Sequence, residues 1–149
     1  VLDEPTSALD VSVQAKILKL LFELKKEWGL TYVFITHDLS VVNNIADRTA
    51  VMYLGRIVEL GDTSSIFGRP LHPYSRALLS AIPIVTAAEQ KMIPAEITLE
   101  GDVPSPVDPP DICPFIARCQ EKTKDCSDSP CPELKEFGKG HWVRCWQVN

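Results

Sequence analysis

Two carboxylates and a histidine occupy positions from which they could act on a phosphate group. Asp3 and Glu4 follow a short apolar segment, and His37 follows the apolar run 30–36, LTYVFIT. Successive side chains of a strand point to opposite faces, so we expect one acid to hold Mg²⁺ through water while the other faces an attacking water. The histidine could contact a phosphate or fix that water. Taken singly, a solvated strand end and a capping or core histidine are the better interpretations.

The segment between these residues has the pattern of an amphipathic helix. Residues 11–28 place apolar side chains four, three and four positions apart, which predicts a buried stripe: Ile17, Leu21, Leu24 and Trp28. Asp10 or Ser12 can cap its start, and Gly29 can end it in the left-handed conformation.

The following segments alternate between strand and helix patterns. Residues 30–36 predict a buried strand and 39–46 a short helix. Two strands, 49–54 and 56–60, are expected to join around Gly55, and helices are expected at 64–67 and 74–82. A strand, a helix and a second strand within so few residues imply a parallel crossover unit covered by helices. The fold class is therefore α/β, with a parallel sheet and flanking helices.

Composition divides the chain and excludes two classes of protein. With 15 basic and 20 acidic side chains, the net charge of −5 argues against a nucleic-acid-binding surface, and no apolar run is long enough to span a membrane. All five cysteines lie within 113–145, and prolines concentrate just before them. We expect a boundary between two regions near residues 82–90. The start at a valine inside an apolar run predicts a cut end, so the lack of a leader carries no meaning.

Four of the cysteines follow the spacing C-x5-C-x6-C-x18-C, and Cys131 is the fifth. The four are Cys113, Cys119, Cys126 and Cys145. This spacing matches neither common zinc modules nor the short ferredoxin run, so disulfides, unliganded thiols and metal binding all remain open, with metal binding favoured. Four thiolates suit zinc as well as iron.

The acidic pair and the histidine carry a family resemblance. The segment VLDEPTSALD resembles the Walker B strand and D-loop of an ATP-binding-cassette (ABC) ATPase, a P-loop NTPase, and FITHDLSVV resembles its switch-histidine segment. The resemblance implies Asp3 as the Mg²⁺-supporting acid and Glu4 as the catalytic carboxylate. It implies that Asp10 faces an opposite subunit and that His37 senses the γ-phosphate of ATP.

Further segments resemble the oligopeptide/dipeptide importers within that superfamily. These are SALDVSVQAKIL, YLGRIVELGDTSSIF and RPLHPYSRALLSAIP, the last containing the triplet His72-Pro73-Tyr74. Pro73 suits the first turn of a helix, and His72 is expected to pack rather than to bind a ligand. The resemblance implies residues 1–82 as the C-terminal half of an ATPase domain and 83–149 as a small, irregular, cysteine-rich extension.

The same resemblance implies cofactors, partners and a location. It implies ATP and Mg²⁺, a second ABC ATPase subunit, membrane permease subunits and, indirectly, an extracytoplasmic solute-binding protein, at the cytoplasmic face of a prokaryotic membrane. CPFIARC, Cys126 and HWVRC resemble a motif that holds a [4Fe–4S] cluster in some of these importers. This implies Cys113, Cys119, Cys126 and Cys145 as ligands, with Zn²⁺ as the rival and Cys131 as a spare.

Two elements of the resembled family do not occur within the 149 residues. These are the phosphate loop G-x-x-x-x-G-K-[ST], which cradles nucleotide phosphates, and a signature segment of the LSGGQ type before the acidic pair. We therefore expect this chain alone to be inactive as an ATPase. The alternatives are an ABC-type ATPase that is not part of a transporter and, for the isolated chain, a metal-stabilised interaction module.

Overall fold

The computed structural model describes residues 1–82, 97–105, 107 and 110–148. Its contacts divide the chain into two compact units, Val1–Ala46 and Asp47–Asn149. The boundary expected near residues 82–90 falls mainly in the segment 83–96, outside the described residues. The assignment of 1–82 and 83–149 as domains therefore stays a prediction.

The first unit holds a parallel strand pair and two helices. Strand β1 (Leu2–Asp3) pairs with β2 (Phe34–Ile35) in parallel, with Leu2 opposite Phe34 and Asp3 opposite Ile35. Helix α1 (Val11–Trp28) connects the two strands, and α2 (Leu39–Ile45) follows β2. The expected strand–helix–strand crossover with parallel strands is confirmed.

Helix α1 has the expected limits but not the expected burial. Asp10 caps its start, and Gly29 ends it with φ +62°. The helix contains no buried residue, and Trp28 of the expected stripe is 66% exposed. The strand expected over 30–36 is likewise only Phe34–Ile35, with Ile35 47% exposed. The prediction of a buried strand was wrong, and that of a buried stripe held only in part, since Ile17, Leu21 and Leu24 are half-buried. Two strands of two residues each offer too little surface to cover the helix fully.

The second unit is built on a four-stranded antiparallel sheet. Strands β3 (Arg48–Tyr53) and β4 (Arg56–Asp62) form a hairpin. Its tip has positive φ at both central residues, +45° at Leu54 and +75° at Gly55, as a tight hairpin turn requires. Strands β5 (Lys135–Glu136) and β6 (Trp142–Val143) extend the sheet in the order β3-β4-β6-β5. The described chain is thus a mixed α/β structure with one parallel and one antiparallel sheet.

Among the described residues of this unit, three helices accompany the sheet. They are α3 (Thr63–Gly68), α4 (Pro73–Ser80) and α5 (Lys124–Asp128). The alternation of exposed and buried residues along β3 places Val51 and Tyr53 on the inner face. These two residues form the buried core with Val58, Ile66 and Phe115. In the described part of the chain, no helix has the length and apolar character that crossing a bilayer requires.

Candidate functional site

The parallel pairing of β1 and β2 brings Glu4 and His37 to one end of the strand pair. The Leu2 N–H donates to the Val33 carbonyl at 2.8 Å, and the Glu4 N–H donates to the Ile35 carbonyl at 2.9 Å. Glu4 comes directly after β1, and His37 follows β2 by two residues. The carboxyl ends of parallel strands lie at one sheet edge, which is where ligands bind in open α/β sheets.

Glu4 and His37 are in direct contact. His37 Nδ1 donates to Glu4 Oε1 at 2.8 Å. The hydrogen bond that Glu4 accepts and the attraction of its charge raise the pKa of His37. The negative charge of Asp38 raises this pKa further. The two side chains are open to solvent, since Glu4 is 38% and His37 80% exposed. A carboxylate hydrogen-bonded to an imidazole can orient a water, accept its proton and leave Nε2 to donate to an anion.

The backbone at Glu4 is strained. Its φ is +46°, a region that costs a residue with a β-carbon free energy and that concentrates at functional sites. This conformation turns the chain sharply at Glu4, whose carboxylate contacts His37. Asp3 lies one residue earlier, exposed and within β1, so its side chain starts from the opposite face of the strand. The structure thus brings Glu4 and His37 together and leaves Asp3 beside them.

Asp10 has a local role in this structure, at the start of α1. Its Oδ1 accepts the N–H groups of Ser12 and Val13, both at 3.0 Å, and the Ser12 hydroxyl at 2.6 Å. These hydrogen bonds, with Ser12 first, hold the pKa of Asp10 below its ordinary value. An exposed carboxylate at a helix start can both cap the helix and meet a partner, and only the capping is visible here.

Asp38 is a residue that the sequence analysis missed. Its Oδ1 accepts the N–H groups of Ser40 at 2.9 Å and Val41 at 3.2 Å, so it caps α2, and its own N–H donates to the Thr36 hydroxyl at 3.1 Å. Asp38 and Thr36 flank His37 on either side. The signal was present, because an aspartate directly before an apolar helix pattern is a usual N-cap.

A second polar centre lies in the antiparallel sheet, around Glu59. Glu59 on β4 is 0% exposed, yet three donors converge on its carboxylate. Oε1 accepts from the Leu71 N–H and from His141 Nε2, both at 2.7 Å, and Oε2 accepts from the His72 N–H at 3.0 Å. His141 approaches Gly61 closely, since a β-carbon at that position would lie 3.3 Å from the imidazole ring. Glu59 thereby connects the segment before α4 to the C-terminal strands.

His72 packs and caps, as the sequence analysis expected. It is 2% exposed, its Nδ1 accepts the Tyr74 N–H at 3.0 Å, and Pro73 occupies the first turn of α4. Burial lowers the pKa of His72 to about 4, with the charge of Arg76 adding to this. The imidazole is therefore neutral near pH 7, which suits an acceptor at a helix start.

Phe115 joins the cysteine-containing region to this centre. Its ring centroid lies 5.2 Å from that of Tyr53, 5.4 Å from that of Tyr74 and 5.7 Å from that of His72. With 1% exposure, it is the largest fully buried side chain of the described residues. Arg76 of α4 also binds Glu121 at 2.7 Å, two residues after Cys119. Phe115 and Glu121, which lie close in sequence to Cys113 and Cys119, thus contact α4 and the residue before it.

The five cysteines are free thiols that affect one another electrostatically. Burial raises the pKa of Cys113 to about 11, and it raises the pKa values of Cys119 and Cys145 as well. Neighbouring thiols add to each shift: Cys131, Cys126 and Cys145 to that of Cys113, and Cys126 to those of Cys119 and Cys145. The thiols therefore share one neighbourhood.

The described residues nevertheless contain no group of three or more histidine, cysteine, aspartate or glutamate side chains arranged to hold a metal ion. The structure does not assemble the four-thiolate site expected from Cys113, Cys119, Cys126 and Cys145. Uncharged thiols do not attract one another, and those that ionise repel, so nothing in the chain itself draws them into ligand geometry.

Two features of this neighbourhood favour bound negative charge. The Gln147 N–H donates to Cys145 Sγ, and the backbone at Phe115 and Glu121 offsets part of the rise in the pKa values of Cys113 and Cys119. The Gln147 bond measures 3.4 Å. Nearby, Arg76 Nε, Arg118 Nε and Trp146 Nε1 are buried donors with no partner among the described residues. Arg118 itself is partly buried.

Part of the chain matches a model of a known protein family. Residues 58–126 match the family model described as the oligopeptide/dipeptide transporter, C-terminal region. This part of the chain is similar to the C-terminal region of that transporter family. The match includes Glu59, the His72-Pro73-Tyr74 segment and three of the four expected ligands, with Cys145 beyond it.

Curated relatives match nearly the whole chain. The dipeptide transport ATP-binding protein DppF of Escherichia coli is 50% identical over 147 residues, which are 99% of this chain and 42% of the relative. The putative oligopeptide transport ATP-binding protein YkfD of Bacillus subtilis is 50% identical, over 97% of this chain and 44% of the relative. The oligopeptide transport ATP-binding protein AppF of Bacillus subtilis is 48% identical, over 96% and 43%. The chain spans less than half the length of these relatives.

Proposed function

We propose that this chain forms the C-terminal part of an ATP-binding subunit whose ATP hydrolysis powers the import of dipeptides or oligopeptides. The observation that carries the proposal is the 2.8 Å contact between Glu4 and His37 at the end of parallel strands. The relatives named for dipeptide and oligopeptide transport, at about half identity, support the substrate class. A carboxylate that can activate water and a histidine that can contact the phosphate, both at one sheet edge, suit the transfer of a phosphoryl group to water.

Three residues of the first unit take part in this chemistry. Glu4 orients the attacking water and accepts its proton as the new bond to the γ-phosphorus forms and the bond to the bridging oxygen of ADP breaks. His37, held through Nδ1 by Glu4, donates from Nε2 to the transferring phosphate. Asp3 offers an exposed carboxylate, the ligand type that Mg²⁺ prefers, and Mg²⁺ would neutralise phosphate charge there.

The remaining assignments follow from the same proposal. Asp10 meets a second ATPase subunit, permease subunits anchor the protein at the cytoplasmic face of the membrane, and a solute-binding protein delivers the peptide to them. Residues 1–82 complete the ATPase domain, and 83–149 form the extension. The nucleotide cradle belongs to a phosphate loop outside these 149 residues, so the chain alone is inactive.

Peptide uptake tests the proposal in cells that depend on this transporter. The complete subunit is replaced by its Glu4→Gln variant or by Glu27→Gln, a control on the exposed side of α1. We expect Glu4→Gln to abolish uptake of a labelled dipeptide or oligopeptide while the subunit still co-purifies with its permease. A subunit that never associates with membrane permeases would favour an ABC-type ATPase of another kind.

We further propose that Cys113, Cys119, Cys126 and Cys145 hold a [4Fe–4S] cluster that stabilises the extension. A backbone N–H bonded to Cys145 Sγ and three buried nitrogens without a partner, Arg76 Nε, Arg118 Nε and Trp146 Nε1, fit a cofactor that carries negative charge. When bound, the cluster would supply a cross-link between segments distant in sequence. Zn²⁺, also compatible with four thiolates, is the rival.

Metal analysis of anaerobically purified complete subunit distinguishes the two cofactors. We expect iron and sulfide with broad visible absorption, lost in Cys126→Ser and retained in Cys131→Ser. A colourless protein that contains one zinc would contradict the iron–sulfur assignment. A protein with neither metal would contradict both assignments.

A further inference from the structure

Asp38 uses both of its carboxylate oxygens, in two different directions. Oδ1 caps α2, as described above, whereas Oδ2 accepts a hydrogen bond from Gln14 Nε2 at 3.3 Å. This second bond is partly buried and joins residues 24 positions apart in sequence. A cap needs only one oxygen, so the bond to Gln14 is additional to the helix start.

Gln14 lies in the first turn of α1, the turn that Asp10 caps. The Gln14 N–H donates to the Asp10 carbonyl at 2.9 Å, which makes Gln14 the first residue bonded back to the cap. Any displacement of the Asp10 turn therefore moves the Gln14 side chain. Through the bond to Oδ2, the start of α1 is connected to the start of α2.

The orientation of His37 depends on this connection. Its side chain is 80% exposed, so packing does little to fix the ring. The ring is held by Glu4 on one side and by the backbone between Thr36 and Asp38 on the other, where the Asp38 N–H donates to the Thr36 hydroxyl. A residue that anchors Asp38 thereby anchors the backbone from which His37 extends.

We propose that Gln14 is a positioning residue that, by binding Asp38, keeps His37 within hydrogen-bonding reach of Glu4. The inference rests on the proposed ATPase function and extends it to a connection within one subunit. If the Asp10 turn meets a second subunit, the bond from Gln14 to Asp38 transmits a shift of that turn to the γ-phosphate contact. Gln14 acts through Asp38 and itself touches no reacting atom.

Kinetics of the complete subunit test the proposal. Gln14→Leu keeps the size and helix propensity of the side chain but removes the donor, and a single hydrogen bond corresponds to about a three- to tenfold effect. We expect kcat for ATP hydrolysis to fall by that factor while KM for ATP changes little. Lys16→Gln, an exposed change in the same helix turn, serves as the matched control and leaves kcat unchanged.

A reciprocal exchange separates positioning from general damage. Gln14→Glu alone sets two carboxylates against each other and should lower kcat at least as much as Gln14→Leu. Combining it with Asp38→Asn restores an amide–carboxylate pair in the opposite direction, with Oδ1 still able to cap α2, and should restore most of kcat. NMR titration of His37 gives a second measurement. In Gln14→Leu the raised pKa of His37 should move toward its ordinary value, because Glu4 and Asp38 are no longer held beside the imidazole.

Two outcomes have different meanings. If Gln14→Leu matches Lys16→Gln in kcat and in the titration of His37, while Glu4→Gln still abolishes turnover, the positioning role is wrong and the proposed function stands. If turnover survives Glu4→Gln, the proposed function itself is overturned.

Discussion

The two units of this chain differ in what surrounds their polar residues. In Val1–Ala46 the acid and the histidine are exposed, and α1 has no buried residue. In Asp47–Asn149 the carboxylate of Glu59 is completely buried, with three donors around it and an aromatic core nearby. The first unit thus carries exposed polar residues suited to chemistry on a substrate. The second carries buried polar residues that hold the structure together.

The same truncation in both units gives the largest contrast. Phe115 is 1% exposed and Phe22 of α1 is 61% exposed. We expect Phe115→Ala to lower the free energy of unfolding by about 3–5 kcal/mol because it opens a cavity among Tyr53, Tyr74 and His72. Phe22→Ala should change it by no more than about 0.5 kcal/mol. Urea denaturation of the chain measures both, and equal losses would remove the distinction between the units.

The buried carboxylate gives the next effect. Glu59→Gln keeps the shape of the side chain but replaces one acceptor oxygen by a donor, which faces at least one of the N–H groups now bound. We expect a loss of about 2 kcal/mol in the free energy of unfolding. Glu133→Gln, on the surface of the same unit, is the control. A loss no larger than that of the control would show that Glu59 does not hold the two segments together.

The pH dependence of His37 sharpens the account of the first unit. Because Glu4 raises the pKa of His37, the attraction between them is complete below the ordinary pKa of about 6.5. It disappears as pH rises through the raised pKa of the folded state. We expect Glu4→Gln to move the NMR titration of His37 downward, toward the ordinary value. An unchanged titration would mean that the contact is absent in solution.

The cap at Asp10 gives the smallest effect. Asp10→Ala removes the acceptor for Ser12 and Val13, so we expect a slight loss of helix content and of thermal stability. The pKa of Asp10 is lowered, so this contribution is complete above the ordinary pKa of aspartate and is lost as pH falls through the lowered value. Circular dichroism measures both losses, and Asp102→Ala, a change at an exposed residue, serves as the control. A decrease as large as that of Phe115→Ala would contradict the contrast between the units.

Local patterns predicted the elements well and their surroundings poorly. The spacing of Ile17, Leu21 and Leu24 predicted α1, and Asp10 and Gly29 marked its ends, because caps and periodicity act within a few residues. Burial depends on what other elements offer, so the exposure of Trp28 and the shortness of β2 were not visible in the pattern. The two-residue strand β6 pairs with β4, which lies about 80 positions earlier in the chain, and no local pattern predicts that pairing.

The candidate site was predictable in part for the same reason. Glu4 and His37 each stand at the end of an apolar run, and parallel pairing alone brings such ends together. The hydrogen bonds of Asp38 to Gln14 and of Glu59 to His141 join residues 24 and 82 positions apart, and no spacing rule relates them. The cysteines show the converse, since their clustering in sequence predicted a shared neighbourhood but not a ligand geometry.

The rate of ATP hydrolysis by the complete subunit in its assembled transporter shows whether Glu4 and His37 form the reactive pair. Removing a positioned general base costs about a hundredfold to ten-thousandfold in rate. We expect Glu4→Gln to lower kcat at least a hundredfold with ATP still bound, and Glu27→Gln to leave kcat unchanged. Hydrolysis by Glu4→Gln at the rate of Glu27→Gln would contradict the assignment of Glu4 and His37 as the reactive pair.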